Sequence, residues 1–138
     1  YGTILVELDR VGEASKGDLY ALSLAPEEKV NRLLALCDAI QNLWTVGRQS
    51  RFLSDMSPKM ICAALMSVKN PIFLESIKLL GENDFDVALI QNTIKDFSSQ
   101  ILAYTLGERK DFFASDHEEF LSLGEAFEEI KDWIRKVY

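Results

Sequence analysis

Residues 60–66 read Met-Ile-Cys-Ala-Ala-Leu-Met, without a charge or a hydroxyl, and Pro58 and Pro71 bound the segment. Both sets of alternating positions are apolar, so a strand here would have to be covered on both faces, as a central strand is. Ser57 and Pro58 would serve equally as a helix cap and first turn, and Ala, Leu and Met are helix formers. Periodicity leaves helix and strand both open over Lys59 to Lys69.

The flanking segments have clearer periods. Thr3 to Asp9 alternates, with Ile4, Val6 and Leu8 on one face, which predicts a half-buried strand over 3–10. Gly12 and Gly17 end it. Pro26, Glu27 and Glu28 form a helix start, and Val30, Leu33, Leu34, Cys37, Ile40 and Trp44 recur at three- and four-residue spacing. This predicts an amphipathic helix over 27–45, closed at Gly47. After a short apolar stretch over 72–80, residues 84–97 again carry helical spacing; 100–106 either continue that helix or form a short strand before Gly107. Phe127, Ile130, Trp133, Ile134 and Val137 on one face, opposite Glu125, Glu128, Glu129 and Asp132, predict a C-terminal helix over 123–137. The expected core joins Ile4, Val6, Leu33, Leu34, Cys37, Ile40, Ile61 and Leu65.

At 138 residues, with 48% hydrophobic and 27% charged side chains, the chain has the size and balance of one soluble domain. No apolar run approaches the roughly 18 residues that a membrane span needs, and no charged-then-apolar leader is present. Cys37 and Cys62 lie in apolar stretches at no zinc spacing, which predicts buried reduced thiols and fits a cytoplasmic location. The net charge of −7 belongs wholly to residues 71–138, while Val46 to Asn70 holds Arg48, Arg51, Lys59 and Lys69 against Asp55 alone.

No catalytic, metal or cofactor pattern is present: there is no phosphate loop, no nucleophile elbow and a single histidine. That residue, His117, stands in Ser115-Asp116-His117-Glu118-Glu119 and is expected to be a solvated loop or helix-entry histidine. The strongest functional candidate is Gly47-Arg48-Gln49-Ser50-Arg51-Phe52. Two guanidiniums, an amide, a hydroxyl and a ring in a polar connection are what a single-stranded nucleic-acid site uses. The competing reading is a polar turn in a mostly helical protein-interaction domain with no nucleic-acid role.

The order of these features, a strand Thr-Ile-Leu-Val-Glu-Leu-Asp-Arg-Val-Gly, a long helix, Gly-Arg-Gln-Ser-Arg-Phe-Leu-Ser-Asp-Met-Ser-Pro-Lys and an apolar run ending Val-Lys-Asn-Pro, resembles a known family. It is similar to the C-terminal portion of DevR-type CRISPR-associated autoregulators, the repeated guide-RNA-binding backbone subunits of type I interference (Cascade) complexes. The likeness centres on residues 47–53 and is strongest over 1–75. It implies an α+β fold, an RNA-recognition-like (ferredoxin-like) sheet backed by helices, with 1–138 as a single domain or a fragment of a longer subunit. It also implies that 59–68 is a central strand. The implied role is non-catalytic and cofactor-free: Arg48, Gln49, Ser50, Arg51 and Lys59 contact guide-RNA phosphates without reading sequence. The implied partners are guide RNA, copies of the chain itself, other Cascade subunits and target DNA, with no membrane.

Overall fold

The computed structural model describes residues 1–14, 17, 22–45 and 54–138. Two short hairpins come first in the chain order: β1 (Glu13–Ala14) with β2 (Leu22–Ser23), and β3 (Trp44–Thr45) with β4 (Ser54–Asp55), both antiparallel. Helix α1 (Pro26–Gln41) lies between them in sequence. A three-stranded sheet follows, ordered β5 (Met60–Met66), β6 (Ile101–Glu108), β7 (Leu121–Ser122), with helices α2 (Val87–Asp96) and α3 (Leu123–Val137). The chain is an α+β domain.

The ambiguous apolar run is the strand β5, but it stands at the end of the sheet order and not at its centre as the resemblance implies: among the described residues it pairs with β6 alone, and β6 is the central strand. The two pair antiparallel from Met60↔Glu108 to Met66↔Ile101, with a register shift at Leu65/Met66. Both faces of β5 are covered, which is why both sets of alternating residues are apolar. On one face Ile61 packs against Leu33 and Cys37 of α1 and Phe127 and Ile134 of α3. On the other, Met60 and Cys62 pack against Phe85, Ile90 of α2, Leu106 and Phe120. The strand alternative for 100–106 is also the one that forms, as Ile101–Glu108, running through Gly107 instead of stopping before it.

Helix ends follow local chemistry. α1 opens on Pro26 with Glu27 and Glu28 in its first turn, and the Arg32 Nε donates to Glu28 Oε1 at 2.8 Å one turn along. It stops at Gln41, short of the expected 45, because Asn42 caps it: the Asn42 Nδ2 donates to the Asp38 carbonyl at 2.9 Å. Trp44, which continued the apolar stripe in sequence, belongs instead to β3, as suits an aromatic residue. α2 is capped by the Asp86 carboxylate, which accepts from Leu89 N. α3 spans the expected residues, opened by a capping box in which Ser122 and Glu125 satisfy each other's backbone N–H groups. The Ser122 backbone N–H and hydroxyl both donate to the Glu125 carboxyl and hold it below the usual carboxylate range.

The expected strand over 3–10 does not form. Residues 1–7 hold no regular element and Leu8–Arg10 is a single 3-10 turn. Alternation fits a residue run to a pleated surface but does not supply a neighbour. Here Glu7 and Asp9 are taken by the Lys69 ammonium at 3.1 and 3.3 Å, and the Tyr138 hydroxyl donates to the Leu8 carbonyl, which fixes the chain in a turn. Ile4 and Val6 are therefore exposed instead of joining the core. Of the other expected core residues, Leu33 and Cys37 are buried, and Leu34, Ile40 and Ile61 pack half-buried around them. Leu65 is half-buried without joining that cluster.

Candidate nucleic-acid interface and the knot that supports it

β6 and β7 run parallel, in register Gly107↔Leu121 and Glu108↔Ser122, so the chain must cross from the end of one strand to the start of the other over residues 109–120. Parallel neighbours commonly use a helix for such a crossover. This one contains no helix; the Asp116 carboxylate closes it locally by accepting from the Asp111 N–H at 2.9 Å, and the Glu108 carboxylate ties it to the sheet. Glu108 is 0% exposed. Its Oε1 accepts from the His117 backbone N–H at 2.6 Å and from the Lys110 ammonium at 3.2 Å, and its Oε2 accepts from His117 Nδ1 at 2.8 Å. The Lys110 Nζ also donates to the Phe120 carbonyl at 2.8 Å. A buried charge needs such partners, since an unpaired one costs several kcal/mol, on the order of the whole stability of a small domain.

His117 is thus not the solvated residue that its polar neighbours suggest. Its ring packs against Phe85 at 4.7 Å and Phe120 at 5.6 Å between centroids, and its Nε2 faces Asp84 Oδ1 at 3.6 Å. The carboxylate on Nδ1 fixes the ring's orientation. The arrangement is a brace: imidazole, ammonium and one backbone N–H converge on Glu108 and hold the crossover against the sheet. The sequence signal was faint. Glu108 directly ends an apolar strand, a position where a charge has to find a partner or leave the core.

The braced crossover presents a turn at the sheet's end. Phe112 N donates to the Arg109 carbonyl at 3.2 Å, with Asp111 at φ 62°, a left-handed conformation that Asp tolerates in turns. The turn places Phe112, half exposed, beside the head of β5, where the Lys59 Nζ sits 5.8 Å from its ring centroid. That is cation–π range. Arg109 belongs to the same corner: its backbone N–H donates to the Lys59 carbonyl at 2.8 Å. The Lys59 ammonium also donates to Ser57 Oγ at 3.0 Å. Lys59, Arg109 and Phe112 thereby form one basic–aromatic corner, drawn from both sides of the β5–β6 pair.

Of the five residues expected to contact RNA, Lys59 lies in this corner. Arg48, Gln49, Ser50 and Arg51 lie outside the described residues; the strand residues flanking them, Thr45 and Ser54, are paired in register. Arg109 and Phe112 are additions that no local pattern marked. They reach Lys59 only through the antiparallel pairing of β5 with β6, at a separation of about fifty residues in the chain. No group of three or more His, Cys, Asp or Glu side chains able to hold a metal ion occurs among the described residues. Nor is any described helix long and apolar enough to cross a membrane. Cys62 is reduced and pushed up to about 12 by burial, and Cys37 is raised for the same reason.

Comparison with family models, with curated proteins and with solved structures matches this chain to none of them.

Proposed function

We propose that this chain is a non-catalytic RNA-binding subunit that grips the phosphate backbone of a guide RNA without reading its sequence. The observation that carries the reading is the corner itself. Lys59 meets an exposed Phe112 ring at the end of the sheet, Arg109 pairs with Lys59 through its backbone, and Arg51 precedes Lys59 by eight residues in the chain. Cations for phosphates and a ring for an unpaired base are the two components of sequence-tolerant single-strand binding. The likeness around Gly47-Arg48-Gln49-Ser50-Arg51-Phe52-Leu53 supports the finer assignment: a backbone subunit of a cytoplasmic type I interference complex in antiviral defence, built on an RNA-recognition-like sheet. In that assignment the chain assembles with copies of itself, other subunits and target DNA. The net charge of −7 does not oppose it, because the acid excess lies outside Val46–Asn70.

The test is RNA affinity at two salt concentrations for Arg48→Ala, Arg51→Ala, Lys59→Ala and Phe112→Ala. Each cation removed should weaken binding alike for all sequences and lower the salt slope by about one or slightly less. Phe112→Ala should weaken binding by about 1–3 kcal/mol with the slope unchanged, as lost stacking does. Unchanged affinity in all four variants, with the fold intact, would refute the reading. That result would favour a protein-interaction domain, a reading to which the open sheet edge described next gives independent support. The β5–β6–β7 sheet removes only the mostly helical description once attached to that alternative.

A further inference from the structure

β6 pairs with β5 from Ile101 to Glu108 on one side, interrupted at the bulged Leu102, but on the other it meets β7 only at Gly107 and Glu108. From Ile101 to Leu106 this second edge has no strand partner among the described residues. Neither charge nor proline protects the edge, since Ile101-Leu102-Ala103-Tyr104-Thr105 contains none; its one irregularity is the bulge at Leu102. Leu102 is 67% and Tyr104 49% exposed, whereas every residue of β5 is half-buried. An open groove of about 580 Å³ runs along the edge, walled by Ile94 of α2 on one side and Trp133 and Lys136 of α3 on the other. A second, of about 300 Å³, shares Ile94 and Tyr104 and continues it toward Leu106 and Glu119. The sheet is therefore missing a strand between two helix layers.

The same chain carries a strand-like run without a sheet. Thr3 to Glu7 alternates as a strand does, forms no regular element, and leaves Ile4, Leu5 and Val6 at 60%, 54% and 36% exposure. A strand inserted between two helix layers needs apolar side chains on both faces. Ile4-Leu5-Val6 supplies them: Ile4 and Val6 toward one layer, Leu5 toward the other. The five residues 3–7 are within one residue of the six unpaired positions 101–106 in length. Lys69 holds the side chain of Glu7, whose backbone is extended, and Tyr138 holds the carbonyl of Leu8 in the turn, so the segment leaves its own domain from a fixed point.

We propose that residues 3–7 of one copy add as a strand to the open edge of β6 in a second copy. The contact joins two different surfaces of the chain, so it either closes by reciprocal exchange or propagates from copy to copy. It uses none of the cations of the proposed RNA site and holds whether or not that reading does.

The experiment is light scattering and hydrogen exchange on the full chain without RNA. The 15.6 kDa chain should at least double in mass as its concentration rises, with amides of both 3–7 and 101–105 becoming protected. Val6→Pro, in a segment without regular structure, and Leu102→Lys, at an exposed edge position, should each abolish the rise. Mixing these two variants should restore a complex, because one retains the edge and the other the segment. A chain that stays monomeric would overturn the proposal, including one whose own segment 3–7 is protected. So would assembly that survives both substitutions, or a mixture that fails to associate.

Discussion

Gly107→Ala tests how closely α3 is pressed onto the sheet. Gly107 has an ordinary backbone conformation, so alanine there incurs no left-handed strain. A methyl at this position would lie 2.5 Å from the Ala126 Cβ, 3.2 Å from Ile61 Cγ2 and 3.4 Å from the Ser122 carbonyl oxygen. Carbon atoms pack best at about 3.5–4.0 Å. The helix must therefore retreat by about 1 Å, at its buried first turn, where Ala126 and Phe127 meet the core. Overpacking of this kind costs about 1–3 kcal/mol. Against it, replacing glycine lowers the entropy of the unfolded chain and returns about 0.4–1 kcal/mol. The net expectation is destabilisation by about 0.5–2 kcal/mol in urea unfolding followed by circular dichroism, with the denaturant slope unchanged. Ala126→Gly alone should also destabilise, through helix propensity (about 0.8–1.0 kcal/mol) and the loss of a buried methyl (about 0.8 kcal/mol). In the double variant the methyl has only crossed the interface, so the two changes should offset one another by about 1 kcal/mol or more relative to their sum. Additive effects, or a stabilising Gly107→Ala, would show that contact between Gly107 and Ala126 does not set the position of α3.

Glu108→Ala should destabilise by about 3–5 kcal/mol, since it strips the His117 and Lys110 donors of their shared acceptor. Glu108→Gln, which keeps an acceptor oxygen, should cost less, about 1–3 kcal/mol. Limited proteolysis should then cut within 109–120; a cost below about 1 kcal/mol and an uncut crossover would mean that the carboxylate is not what braces it. At alkaline pH, the folded protein keeps the Cys62 proton up to about 12, while the unfolded chain loses it above 9.0. The unfolded state then binds fewer protons, so stability attributable to Cys62 is complete below pH 9 and is lost as pH rises toward 12. The denaturation midpoint should fall over that window in the parent and less steeply in Cys62→Ala; equal slopes would assign the alkaline loss to other groups.

Local chemistry is sufficient to specify a good part of this chain. The period of Phe127, Ile130, Trp133 and Ile134 and the Ser122–Glu125 cap mark α3 to the residue, because helix hydrogen bonds and caps close within a few positions. The start of α1 at Pro26 is legible for the same reason. Residues 60–66 announced in sequence only that they would be buried on all sides. That they form a strand was decided by β6, whose Ile101–Glu108 pairs with them across about forty residues of chain. The segment Thr3–Asp9 shows the converse, a strand pattern left without a sheet because pairing is a property of the neighbour as much as of the run. The candidate site divides in the same way. Lys59 could be picked out from its surroundings in the chain, but Arg109 and Phe112 become its neighbours only through strand register and a turn at Asp111. His117 looked solvated because its sequence neighbours are charged. It is held inward because Glu108, nine residues away and facing the core from β6, accepts from both its backbone N–H and its ring. Sequence period and capping thus determine which segments are helical and which must be covered. Pairing, the closing of the crossover and the gathering of charge around a buried carboxylate are long-range events, and only the tertiary structure decides them.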